Sequence, residues 1–412
     1  MRVLWRRLSM QRAGTGLGIV LLLLLVLGVT ARAVQPVYRV APDTIFLPLD
    51  GVALNAHTGH VLWRFPRYTG QTYTDGHGLL LLGWTVAIAP HLHHYTTRIC
   101  RLRTRDGHRL WCHDHAAVRE WVVDNTGRFL YLHTPNRLEI LDASDGQPNH
   151  GFDLDRDSEL SLMPLPSTGV LMLERHRGNV VQALRYQPGA AALQPVTVPA
   201  KVYPFRGDGR GLLLYAKPRH EFFLAAPFRR LFDRHQPAEA GADTFPLAEL
   251  DDSGFLFTDW AGDQPVIRGG TYAGAVWHAP RRAPAPQLAL THLAAIMLEP
   301  KNDGASQLLG WSLASGERLY SREVSADAGR NPRLHASADA VVVQTNSGVL
   351  LYNAVSGIER WHADQPVDTL AAIARTAVVF WDGSGGMIGL ARNNGSLLWR
   401  VRFQTVSAPL PF

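Results

Sequence analysis

One short pattern returns along almost the whole chain and limits what it can fold into. An alternating apolar strand runs into a small or polar pair and a glycine, and a second strand follows with an aromatic residue four positions on. It first appears as ALNAHTGHVLWRF, Ala53 to Phe65, with Gly59 and Trp63 in those two places. It returns as CRLRTRDGHRLWCH around Gly107 and Trp111, LEILDASDGQP around Gly146 and LLGWSLASGERLYS around Gly316 and Tyr320. LLYNAVSGIERWHA, with Gly357 and Trp361, and IGLARNNGSLLWRV, with Gly395 and Trp399, complete the clear copies, and fainter ones centre on Gly189 and Gly274. Successive glycines lie 48, 39, 43, 85, 42, 41 and 38 residues apart. The gap of 85 leaves room for one degenerate unit near residue 231, in EFFLAAPFRRLFDRHQP.

The local logic of each copy is a hairpin. A three-residue hairpin loop ends with a residue in the left-handed region, where a side chain is penalised, and glycine takes that place. Ahead of most copies lies another apolar strand, such as FLYLH at Phe129, VLMLE at Val170, FLFTDW at Phe255, VVVQT at Val341 and VVFW at Val378. A period near 42 residues with three or four strands per unit predicts an all-β fold, a β-propeller of four-stranded blades. Strand periodicity excludes a solenoid of helix pairs. Residues 34–412 span about nine periods, whereas closed propellers usually have about four to eight blades. Eight blades are therefore expected, with one weak unit at 190–250 acting as an insertion or the terminal units combining to close the ring; seven or nine are compatible.

The A-x-T-G-x-x-x-W core, Ala56 to Gly59 with Trp63 and in variant form Ala354 to Gly357 with Trp361, resembles the tryptophan-docking motif of the PQQ-like β-propeller repeats. The resemblance covers nearly the whole chain after residue 42. It implies that the aromatic of one blade stacks on the turn of its neighbour, forming a girdle from Gly59, Trp63, Gly107, Trp111, Gly316, Tyr320, Gly357, Trp361, Gly395 and Trp399. Within that superfamily, length, export signal and lack of added domains look most like the propeller lipoprotein subunits of the outer-membrane β-barrel assembly machinery. Those are anchored by a lipidated cysteine just after the apolar run, and here the first cysteine is Cys100. A signal-anchored relative without the lipid is the reading that fits.

The charge distribution agrees with export. The net charge is +6, but residues 1–33 hold Arg2, Arg6, Arg7, Arg12 and Arg32 and no acid. Removing these five from 41 bases leaves 36 against 35 acids, so the rest of the chain is balanced and nucleic-acid binding is not expected. A basic start, an apolar run at 13–30 and a small-x-small end at Ala33 describe a signal peptide or, if uncleaved, one N-terminal apolar helix anchoring the chain. Arginines before the run place the body outside the cytoplasm, in the periplasm of a bacterium, tethered to the inner membrane or cleaved and soluble.

Few residues suggest chemistry. Cys100 and Cys112 lie six residues either side of Asp106, so a hairpin centred there sets them opposite each other. In an oxidising compartment this supports a disulfide, with two buried thiols as the alternative. His91, His93 and His94 sit in what reads as a long connection, GWTVAIAPHLHHYTT from Gly83, and His113 and His115 lie two apart on the next strand. Together they could gather around zinc or copper; the alternative is a solvated polar surface. A quinoprotein oxidoreductase using the propeller axis lacks support, since the vicinal cysteine pair of such enzymes is missing. No G-x-S-x-G elbow, H-E-x-x-H helix or P-loop is found, and no cofactor is expected. Trp84, Trp121, Trp260 and Trp277 fall outside the period and are the candidates for an aromatic binding patch. The expected function is a non-catalytic, monomeric scaffold that binds other envelope proteins through loops on one rim; the alternative is a small-ligand or metal-binding sensor or enzyme.

Overall fold

The computed structural model describes residues 36–403 apart from short stretches, and for 201–250 it gives the strands without their side chains. The expected N-terminal helix at 13–30 and the Ala33 boundary lie outside the described residues. Among the described residues no helix is long and apolar enough to cross a membrane.

From Tyr38 onward the described residues form nine four-stranded antiparallel sheets, each built from four consecutive strands. In chain order these blades span 38–64, 71–116, 120–153, 159–195, 202–233, 248–280, 287–324, 333–363 and 369–402. Blade 5 and the first strand of blade 6 are described by their backbone alone. The count exceeds the expected eight by one, for two reasons. The weak unit is a complete sheet, with strands Val202–Pro204, Leu213–Ala216, Glu221–Ala225 and Phe228–Asp233. Nor do the termini share a blade, since 38–64 supplies all of the first sheet and 369–402 all of the last.

The runs LLLL at Leu79 and VVV at Val341 are apolar without alternation because the second strand of a blade is buried on both faces. Leu80 and Leu82 pack with Phe46, Ala53 and Trp63 of blade 1. Leu79 and Leu81, pointing the other way, pack with Trp121, Leu130 and Leu132 of blade 3. Blade 8 repeats this, with Val341 and Val343 in the core shared with blade 7 and Val342 in the core shared with blade 9. Each core is therefore a layer between two sheets, and a blade is stable only with both neighbours. First strands of neighbouring blades approach each other, as Tyr38–Ala41 does Thr369–Ile373 and Gln287–Leu290 does Arg333–Ser337, so they line the axis. Fourth strands bury little beyond their aromatic, as in Val61–Arg64, where only Trp63 is buried.

The turn before that aromatic differs from the expected one. Asn55 N–H donates to His60 O at 2.9 Å and Gly59 N–H to Asn55 O at 2.8 Å, a loop of four residues and not three. The same pair of bonds closes the turns at Gly107, Gly146, Gly316, Gly357 and Gly395. A β-bulge then follows: Ala53 pairs with Trp63 but Leu54 with Val61, leaving Leu62 unpaired. The extra residue restores the alternation that turns the aromatic inward, and the bulge recurs before Trp111, Tyr320, Trp361 and Trp399.

Each of these aromatics then seats on the turn glycine of the next blade. A Cβ on Gly107 would lie 2.7 Å from the Trp63 ring, one on Gly357 2.4 Å from Tyr320, one on Gly395 2.6 Å from Trp361 and one on Gly59 2.6 Å from Trp399. The indole N–H of Trp63 donates to Thr104 O, Trp111 to Ala143 O, Trp361 to Arg392 O and Trp399 to Ala56 O, at 2.7, 3.2, 2.8 and 2.8 Å. The Trp399 contact joins blade 9 to blade 1. Asp43 adds to this closure, accepting from Arg375 at 3.0 Å and from the N–H and hydroxyl of Thr376 at 3.0 and 2.7 Å. Trp277, assigned above to a binding patch, belongs to the girdle: it donates to Leu313 O at 2.8 Å and covers Gly316. Its strand pairs without the bulge, so it follows Gly274 by three residues instead of four.

Gly59→Ala should be far more damaging than Gly189→Ala, although both glycines have positive φ, 69° and 88°. At Gly189 nothing lies within 4 Å and only the left-handed penalty of about 1–2 kcal/mol applies. At Gly59 the methyl also displaces Trp399, and a loss approaching the ~3–5 kcal/mol of a buried tryptophan deletion is expected in denaturant unfolding. At Tyr320 the gain runs the other way. Its hydroxyl is buried without a partner among the described residues, whereas the tryptophans at this position reach a backbone carbonyl. Tyr320→Trp is expected to stabilise by about 1 kcal/mol, read from the unfolding midpoint.

Candidate functional site

With its motif residues spent on blade packing, the protein's candidate site lies where the blades depart from their common form. Blade 2 departs most. The stretch GWTVAIAPHLHHYTT is not a connection but the end of a long hairpin, Leu79–Ala89 paired with His94–Arg103, and Arg109–Ala116 extends alongside. Its β-branched residues, Thr85, Val86, Thr96 and Thr97, favour strand over loop. Trp84 lies within this hairpin, with its ring edge-on to Phe65 at 6.0 Å. Trp121 is buried against Gly83, and Trp260 stacks under Arg281 at 5.4 Å. The structure therefore does not gather these tryptophans into one patch.

Cys100 and Cys112 are bonded, with Cα atoms 4.1 Å apart. They are direct cross-strand partners as expected, although the loop is one residue longer; the bulge between Arg101 and Leu102 takes up the difference. His113 and His115 share a face but turn toward blade 3. His113 lies over Gly146, and His115 Nδ1 approaches Glu139 at 3.3 Å. That contact with His115 is the main cause holding the Glu139 carboxyl below its ordinary range. His91 and His93 lie outside the described residues, and of His94 only the strand position is described. Among the described residues no three His, Cys, Asp or Glu side chains group as a metal site.

A surface feature that the repeat concealed lies on the turns and the fourth strands that follow them. Of the nine exposed large apolar side chains among the described residues, seven flank a turn glycine: Val61, Leu62, Leu110, Leu319, Val355, Ile358 and Leu397. They belong to blades 7, 8, 9, 1 and 2, which follow one another through the closure. Ile358 is 60% exposed and Leu397 52%. Blade 3 has Gln147, Pro148 and Asn149 at the equivalent positions. Leu62, Leu110 and Leu319 are the bulged residues, each just before the docked aromatic, so inward and outward apolar residues stand side by side. The signal was present as the pairs LW and LY, but simple alternation does not say which of the two faces water.

On the axial side, first strands of blades 7, 8 and 9 line a cavity of about 260 Å³ that includes Leu288, Leu334, His335 and Ile373. His335 Nε2 is buried without a partner among the described residues. Burial, with Arg333 adding repulsion, pushes its pKa down to about 4. The folded state thus keeps His335 neutral where the unfolded chain binds a proton, and stability falls as pH drops from about 6.5 toward 4. Between pH 6.5 and 5 the wild type is expected to lose up to about 2 kcal/mol more than His335→Gln, measured by urea unfolding at each pH.

Residues 295–408 match the family model described as PQQ_2, outer membrane protein assembly factor BamB. No curated protein matches the chain. Among solved structures, a eukaryotic initiation factor is 11% identical with a TM-score of 0.52, covering 80% of this chain and 88% of its own. BamB from Moraxella catarrhalis is 14% identical with a TM-score of 0.36, over 85% and 92% of the two chains. The WD40 domain of SCAP from fission yeast is 9% identical with a TM-score of 0.43, over 79% and 93%. The first of these supports the architecture and nothing finer. Residues 295–408 are thus similar to the PQQ_2 repeats, and the same turn and docked aromatic recur from Gly59 onward in a chain of β-propeller architecture.

Proposed function

We propose that this propeller is a non-catalytic scaffold that holds other proteins of the bacterial envelope, in the periplasm, tethered to the inner membrane through its N-terminal segment. The observation that carries this is the apolar arc on the turns and fourth strands. Exposed apolar side chains recur within three residues of the turn glycine in five successive blades. Clustered exposed apolar side chains favour protein contact, and a rigid ring of sheets presents them with little loss of conformational freedom on binding. The match of residues 295–408 to the outer membrane protein assembly factor family and the export signal read from the sequence support a role in outer-membrane protein assembly.

In cells, a photoreactive residue placed at Leu62, Leu110, Leu319, Ile358 or Leu397 is expected to crosslink envelope proteins, and one at Asn149 of blade 3 is not. Mass spectrometry of the adducts identifies the partners. Recovery of no adduct from any of the five positions, with the chain present at normal level, would count against the scaffold reading.

A further inference from the structure

We infer that the cleft at the meeting of blades 8, 9 and 1 seats the carboxylates of an acidic, partly apolar peptide segment of a partner protein. This rests on the scaffold reading and names the chemistry of what is held. The cleft has a volume of about 730 Å³ and is lined by Arg360, Arg375, Arg392, Asp339, His57 and Asn394 among others. That size suits a ligand of several residues' side chains.

Three guanidinium groups converge there from three separate elements. Arg360 lies on Glu359–Ala363, the fourth strand of blade 8, Arg375 in the turn after Thr369–Ile373, and Arg392 in the turn before Leu397–Arg402. They are answered by two carboxylates. Asp339 accepts from Arg360 at 2.8 Å and also from Arg392, and Asp43 accepts from Arg375 at 3.0 Å. The cleft therefore keeps one unbalanced positive charge in a body whose bases and acids otherwise cancel. Only one nitrogen of Arg360 is bonded among the described residues, and the Arg375 side chain is 74% exposed. Both keep N–H donors for a further carboxylate, which arginine takes in paired geometry.

The flanks specify the rest of the ligand. Leu398 lines the cleft, and two residues close in sequence to its lining, Leu397 next to Leu398 and Ile358 two before Arg360, are exposed. A segment alternating acidic and apolar residues meets both features at once. A small free carboxylate would meet only the first.

The test uses the purified full-length chain and three probes: a fluorescent peptide alternating glutamate and leucine, its glutamine counterpart, and free glutarate. The glutamate peptide is expected to bind, more weakly as salt rises. Its affinity should fall about ten-fold in Arg360→Gln and in Arg375→Gln. Arg360 pairs only within blade 8, so its variant leaves the closure contacts in place, and an unchanged melting temperature verifies this. Equal affinity for both peptides, no binding of either, or no effect of Arg360→Gln would overturn the inference. Glutarate binding as tightly as the peptide would overturn it in favour of a small-molecule site. Rim crosslinks that persist without peptide binding would sink this inference alone, whereas their absence would sink the scaffold reading.

Discussion

The structure depends on an aromatic ring seated on a glycine of the neighbouring sheet. A four-stranded sheet of this size has two apolar faces and cannot bury either by itself. The seat aligns each sheet with the next, because the ring needs the space a Cβ would fill and the indole N–H needs one particular carbonyl. Glycine meets two demands at once, the left-handed backbone of the turn and the flat floor beneath the ring. The contact is the same between blades 1 and 2 as between blades 9 and 1, so one local rule both propagates the ring and closes it.

That rule also decides where other residues are free to act. Most of the aromatics at the repeat position are consumed inside the girdle, and the second strands are buried on both faces. What remains for solvent is the bulged residue beside each aromatic and the side chains of the turns. In blades 7 to 9, 1 and 2 each set of those positions holds at least one exposed apolar side chain, and at the closure Arg360, Arg375 and Arg392 join them. The surface that differs from blade to blade thus lies at the point where the blades are most alike internally.

Much of this was legible in the chain, though not always for the right reason. Cys100 and Cys112 were expected to face each other across a three-residue loop. The loop has four residues, and the bulge after it shifts the register back, so two departures cancel. Trp277 was misplaced because its strand lacks the bulge and the spacing from glycine shortens by one. The segment after Gly83 read as a connection because its histidines and Pro90 outweighed its β-branched residues. Pairing with Arg109–Ala116 supplies hydrogen bonds that hold it as strand, and that support is invisible in the segment itself.

The sequence by itself determined the hairpin, since turn, glycine and aromatic lie within about ten residues and are governed by local hydrogen bonds and side-chain alternation. It also determined the all-β class and the number of repeats to within one. Only the tertiary structure decided that nine sheets form, that the termini complete separate blades, and that Asp43 meets Arg375 and Trp399 meets Ala56 across 332 and 343 positions. Closure is a sum of small rotations between neighbouring sheets, set by how every core layer packs. No single repeat contains that sum, and so none of them, read alone, discloses where the ring ends or which side chains it brings together there.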